Sequence, residues 1–140
     1  MREPMDEDSV LLELNQRWGC DLPSGWVPIT GPAKFSEELE MYGAETFAEQ
    51  FDGKLPTLLE RTFNVSELYE ITEEGTVKIV ALTNCLFQYS GLEHMYTDQS
   101  FQFLLYFSHE SSVTAGGKAL VNLIHQTWPE SIRHFWPDSL

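Results

Sequence analysis

Two apolar runs decide the fold of this chain: TVKIVALTNCLFQ at 76–88 and SFQFLLYFS at 100–108. In the first, Val77, Ile79 and Ala81 alternate with Lys78, Val80 and Leu82, and the run continues through Cys85, Leu86 and Phe87. The second is rich in aromatics and carries one strongly polar side chain, Gln102. β-Branched and aromatic residues fit a pleated, half-buried surface, and both runs are short and bounded by turn formers. They predict two strands joined by a polar loop, at the centre of a sheet. Apolar residues at both parities predict cover on both faces.

Outward from this pair, 66–72 alternates Leu68, Tyr69 and Ile71 among polar residues, and Glu73-Glu74-Gly75 is a turn signal. A hairpin into the central pair follows, giving three antiparallel strands in sequence order. After the second run, Ser112 or Thr114 is placed to cap a final helix. In that helix Leu120, Leu123, Ile124, Thr127 and Trp128 form the clearest amphipathic stripe of the chain. Gly116 and Gly117 permit its start to approach the sheet closely, and Pro129 stops it. An aromatic turn over 131–136 closes the sequence.

At the other end, residues 1–7 read as a mobile acidic tail. Asp8 or Ser9 then caps a helix to about Trp18, with Leu11, Leu14 and Trp18 on one side and Gly19 past its end. The proline- and glycine-rich stretch 20–32 is a fixed irregular loop that tucks Trp26, Val27 and Ile29 onto the core. Helical spacing then predicts one kinked helix or two short helices over 36–51. Phe35, Leu39 and Tyr42 lie on one face, Phe47 and Phe51 on another, with Gly43 between. Pro56 favours a short helix over 55–63. The predicted class is α+β in a single domain spanning 1–140: N-terminal helices, an antiparallel sheet of three to four strands, and a C-terminal helix packed on one sheet face.

Charge is the strongest compositional feature. The 140 residues carry a net charge of −14. Residues 1–74 hold 17 Asp and Glu against 5 Lys and Arg, a net of −12, while 75–140 hold 5 against 3, a net of −2. Such a field opposes direct binding to nucleic-acid phosphates or an anionic membrane, and it speeds encounter with a basic protein. No segment has the pattern of a signal peptide or the length of a membrane span, so a cytoplasmic setting is expected. Cys20 and Cys85 show no metal-ligand spacing, and Cys85 reads as a small buried hydrophobe.

Candidate chemistry is sparse. Gly116-Gly117-Lys118 lacks the spaced glycine and the Ser/Thr of a phosphate loop. No Gly-x-Ser-x-Gly elbow is present. Among His94, His109, His125 and His134, the pair His94 and His109 falls at opposite ends of a strand, too far apart for one metal. A final helix running back over the sheet brings His125 toward Glu93, His94 and Asp98, a two-histidine, carboxylate-rich pocket. No cofactor and no metal are expected.

Two functional expectations result. The first is a small, acidic, non-enzymatic protein that binds a partner with a basic surface, as inhibitor, immunity-type neutraliser or adaptor. Glu37, Glu38, Glu40, Glu45 and Glu49 would steer the encounter, and Trp26 or Trp136 would anchor it. A version of this has the carboxylates imitate nucleic-acid charge. The second is a small-molecule-binding domain or minor enzyme with its pocket between the sheet and the C-terminal helix, at Glu93, His94, Asp98 and His125. A homodimer through a sheet edge or the C-terminal aromatics fits either.

Overall fold

The computed structural model of the chain describes residues 6–18, 39–72, 74–89, 91, 93–108 and 112–134. Among these, six strands form one antiparallel sheet: β1 (Leu39–Gly43), β2 (Glu67–Thr72), β3 (Val77–Ala81), β4 (His94–Thr97), β5 (Leu104–Phe107) and β6 (Ser112–Gly116). The spatial order is β1-β6-β5-β4-β2-β3, with every neighbouring pair antiparallel. Helices α1 (Glu7–Trp18), α2 (Ala44–Phe51), α3 (Leu55–Phe63) and α4 (Lys118–Thr127) complete the fold, with 3₁₀ turns at Leu82–Asn84 and Pro129–His134. The α+β class stands, and the sheet is larger than three or four strands.

Alternation along the strands sorts the core into two layers. One face carries Tyr42, Leu68, Tyr96, Leu105, Phe107, Val113 and Ala115, and α2, α3 and α4 close over it with Phe47, Leu59, Leu120 and Ile124. The other carries Tyr69, Ile71, Met95, Leu104 and Tyr106 beneath α1, which contributes Val10, Leu11, Leu14 and Trp18. The α1 stripe was legible from its spacing. Its cap is Asp6, whose Oδ1 accepts the Ser9 N–H at 2.8 Å, two to three residues earlier than expected. That bond holds the Asp6 carboxyl below its ordinary range.

Four expectations change. First, the 76–88 run is not a central strand. β3 ends at Ala81 and lies at the sheet edge, because the 3₁₀ turn over Leu82–Asn84 takes the chain out of the ladder. Second, β2 pairs on its other side with β4, not with a continuation of β3, so the expected three-strand sequential meander is replaced by a crossover. His94 therefore sits in a strand and not in the connecting loop. Third, 39–43 is extended, and the helix begins only at Ala44. Leu39 and Met41 pack toward α1 while Tyr42 packs toward α2 and α4, which is the period of a strand. Fourth, 112–116 is a buried strand and not a loop with a helix cap.

The small residues of β6 answer to packing. A Cβ at Gly116 would meet Trp18 Nε1 at 2.9 Å and the Leu39 side chain. The loop 20–32, Phe135 and Trp136 of the aromatic turn, His109 and residues 1–5 lie outside the described residues, whereas Asp6 and Glu7, expected in the acidic tail, cap and begin α1.

Candidate functional site

The four residues of the expected pocket do not converge. Glu93 and His94 are sequence neighbours at the start of β4 and serve opposite faces of the sheet. Glu93 accepts the Tyr106 hydroxyl at 2.7 Å on the α1 side. His94 lies against Phe107, ring centroids 5.4 Å apart, and meets Tyr96 edge-on at 5.3 Å on the other side. Its Nε2 is 2.9 Å from the Leu86 carbonyl oxygen. A carbonyl can only accept, so this nitrogen carries the proton. Asp98 lies past the far end of β4, about 13 Å away at ~3.3 Å per residue. His125 sits on α4 over the β1 edge, with Nε2 2.7 Å from Glu40 Oε1. Three strand spacings separate β1 from β4, roughly 14 Å. Among the described residues no group of three His, Cys, Asp or Glu gathers to hold a metal.

Each of these residues has a structural task. Asp98 is buried, and its carboxylate accepts the N–H groups of Gln102 at 2.6 Å, Phe103 at 3.3 Å and Ser100 at 3.2 Å, and the Gln102 side-chain amide at 2.8 Å. Glu40 takes the Tyr42 hydroxyl as well as His125, so it belongs to the β1–α4 contact and not to a free acidic surface. Glu37, Glu38, Trp26 and Trp136 lie outside the described residues.

Two members of the acidic set stand free of such duties. Glu45 and Glu49 are exposed on α2, and Asp52 is exposed in the turn that follows. None of the three takes part in an ion pair among the described residues. Glu45, Ala48, Glu49 and Asp52 fall at i, i+3, i+4 and i+7, so the carboxylates form one row along the helix.

Beside that row lies a groove the sequence did not announce. Phe47, Phe51, Leu55 and Pro56 form one wall and residues 85–88 the other, enclosing about 250 Å³. This is not the space between the sheet and the C-terminal helix that was expected. Leu86 at its mouth is half exposed, at 50%, yet its peptide groups are fixed on both sides. Its N–H donates to the Tyr96 hydroxyl at 2.7 Å, and its carbonyl accepts from His94. Tyr96 in turn donates to Glu70 Oε2 at 2.7 Å. The Thr83-Asn84 pair inside the apolar run was the available signal that 85–88 leaves the sheet.

Buried hydroxyls and a thiol tie this region to alkaline pH. Burial pushes the Tyr42 and Tyr96 phenols far above their ordinary value, with the adjacent Glu40 and Glu70 carboxylates adding to the effect. Burial, then the Glu70 charge, raises the Cys85 thiol from 9.0 to about 12. For a group raised on folding, the unfolded chain loses its proton first. The contribution to stability is whole below the unfolded value and disappears as pH climbs toward the folded one. The urea midpoint is therefore expected to hold up to about pH 9 and to fall steadily above it. A midpoint flat to about pH 11 would contradict the burial of these three groups.

Comparison of the chain with the models of known protein families, with curated proteins and with solved structures gives no match in any of the three. No helix among the described residues is long and apolar enough to cross a membrane.

Proposed function

We propose that this chain is a non-enzymatic acidic protein that acts by docking on a protein partner with a basic surface, as an inhibitor, an immunity-type neutraliser or an adaptor. The observation that carries this reading is the division of labour among its polar groups. Glu93, His94, Asp98 and His125, the residues with chemistry to offer, are engaged in holding strands and turns. The Glu45, Glu49 and Asp52 row is turned to solvent on a chain of net charge −14. A row of solvent-exposed carboxylates raises the rate of encounter with a positive surface and disfavours negative ones.

The test is capture from a lysate of the source organism on immobilised protein, at low and high salt, beside a triple variant Glu45→Gln, Glu49→Gln, Asp52→Asn. Glu40 is left intact because its loss would disturb the β1–α4 contact. A basic protein retained at low salt, released at high salt and lost on the variant is the expected result. Equal retention by the variant, or no basic protein at either salt, would overturn the reading.

A further inference from the structure

We infer that the groove between α2, α3 and residues 85–88 receives a basic segment of the partner, one with a large apolar side chain set among lysines or arginines. The inference rests on the docking reading above and gives it a place on the molecule.

The size of the groove argues for a side chain. At about 250 Å³ it falls below the ~300–1,000 Å³ of sites that enclose a drug-sized ligand. Its accessible apolar lining comes from Ala48, Pro56, Cys85, Leu86 and Phe87, over a floor of the buried Phe47, Phe51 and Leu55, which suits an aliphatic or aromatic anchor.

The mouth of the groove is also preorganised. An exposed leucine on a surface is ordinary and by itself says nothing. Leu86 differs because two side chains from β4, the buried His94 and Tyr96, hold its peptide from both sides, at 2.9 and 2.7 Å. Its side chain is kept at the mouth of the groove before any partner arrives. Binding there does not have to order the loop, which is the main cost a flexible surface would incur.

Charge selects the occupant. Asp52 lines the groove, and Glu45 and Glu49 lie outside the lining on the adjoining exposed stripe of α2, so one carboxylate stands at the rim and two more on the surface next to it. Lys54 is the cation of the α2–α3 turn. An apolar centre with an acidic rim is the complement of an apolar anchor flanked by positive charge.

The experiment pans a phage-displayed library of random peptides, about twelve residues long, against the intact protein and against two surface variants, Leu86→Asp and Glu49→Lys. Both variants change exposed side chains, and an unaltered thermal midpoint confirms that they fold. Enrichment of sequences with Leu, Phe or Trp among Lys and Arg is expected, with recovery falling by about tenfold or more on either variant. Basic sequences recovered equally by all three proteins would overturn the groove and leave the acidic docking reading standing. No enrichment, or enrichment of neutral or acidic sequences, would overturn both. Concentration-dependent dimerisation abolished by Leu86→Asp would assign the groove to a second copy of this chain and overturn the proposal.

Discussion

Replacing Gly117 with alanine is expected to lower the unfolding free energy by about 3 kcal/mol or more, a large share of the ~5–15 kcal/mol typical of a domain. Gly117 links β6 to α4 with φ at +100°, a conformation that L side chains rarely adopt. A Cβ there would press on the Gln102 carbonyl oxygen and stand 3.1 Å from Phe103 Cα. Both are backbone atoms, so no side chain can swing aside, and the start of α4 or the loop before β5 has to move. Gly53 supplies the control. Its φ is +75°, but nothing lies within 4 Å of its would-be Cβ, so Gly53→Ala should cost only about 1 kcal/mol of conformational strain. Urea denaturation of the two variants measures the difference. Similar midpoints for both would mean that α4 does not approach the sheet as closely as described.

Asp98→Ala is expected to cost about 3–5 kcal/mol, because it leaves the buried Phe103 N–H and its neighbours without their acceptor. The residue does more than satisfy donors. Its backbone carbonyl also takes the Phe101 N–H at 3.0 Å, and the turn holds Phe101 at φ +57°. In that conformation the Phe101 ring lies against Tyr69, centroids 5.9 Å apart, and seals the α1-side layer. Asp98→Asn keeps one acceptor oxygen but presents an amide to donors already there, so an intermediate loss is expected. Denaturant midpoints and near-ultraviolet circular dichroism of the aromatic layer provide the check. A stable Asp98→Ala protein with an intact aromatic signal would return Asp98 to the list of residues free for chemistry.

An element is legible in the sequence when its partners are local. Helices α1 and α4 declare themselves, and Pro56 in the first turn favours α3, since the Leu11–Leu14–Trp18 stripe, that proline and the Leu120–Ile124 stripe are properties of the segment itself. The β2–β3 hairpin is equally local. β1, β4 and β6 are not. β1 is five residues whose partner β6 arrives some 70 positions later, pairing Leu39 with Gly116. Without that partner, Leu39 and Tyr42 match helical spacing as well as strand alternation. The small residues of β6 look like a loop until Trp18 and Leu39 are seen packed against Gly116.

The same distinction explains the candidate site. Composition pointed to Glu45 and Glu49, because surface charge needs no partner, but it did not single out Asp52 and could not separate Glu40, which is bound to Tyr42 and His125. Whether a histidine is free or spent depends on contacts such as His94 with Leu86 and His125 with Glu40, which span 8 and 85 positions. The groove has no local signal, because Leu86 falls within an apolar run whose composition predicts a strand.

On the proposed reading, the carboxylates of Glu45, Glu49 and Asp52 bring a basic partner in. The most direct measurement is the association rate of the captured partner with the intact protein and with the Glu45→Gln, Glu49→Gln, Asp52→Asn variant, followed across ionic strength. Steered association should slow by about tenfold or more as the Debye length shrinks from ~30 Å at 0.01 M to ~8 Å at 0.15 M salt, and the variant should start slower and change less. Association rates that coincide for the two proteins and ignore salt would contradict electrostatic steering by these carboxylates.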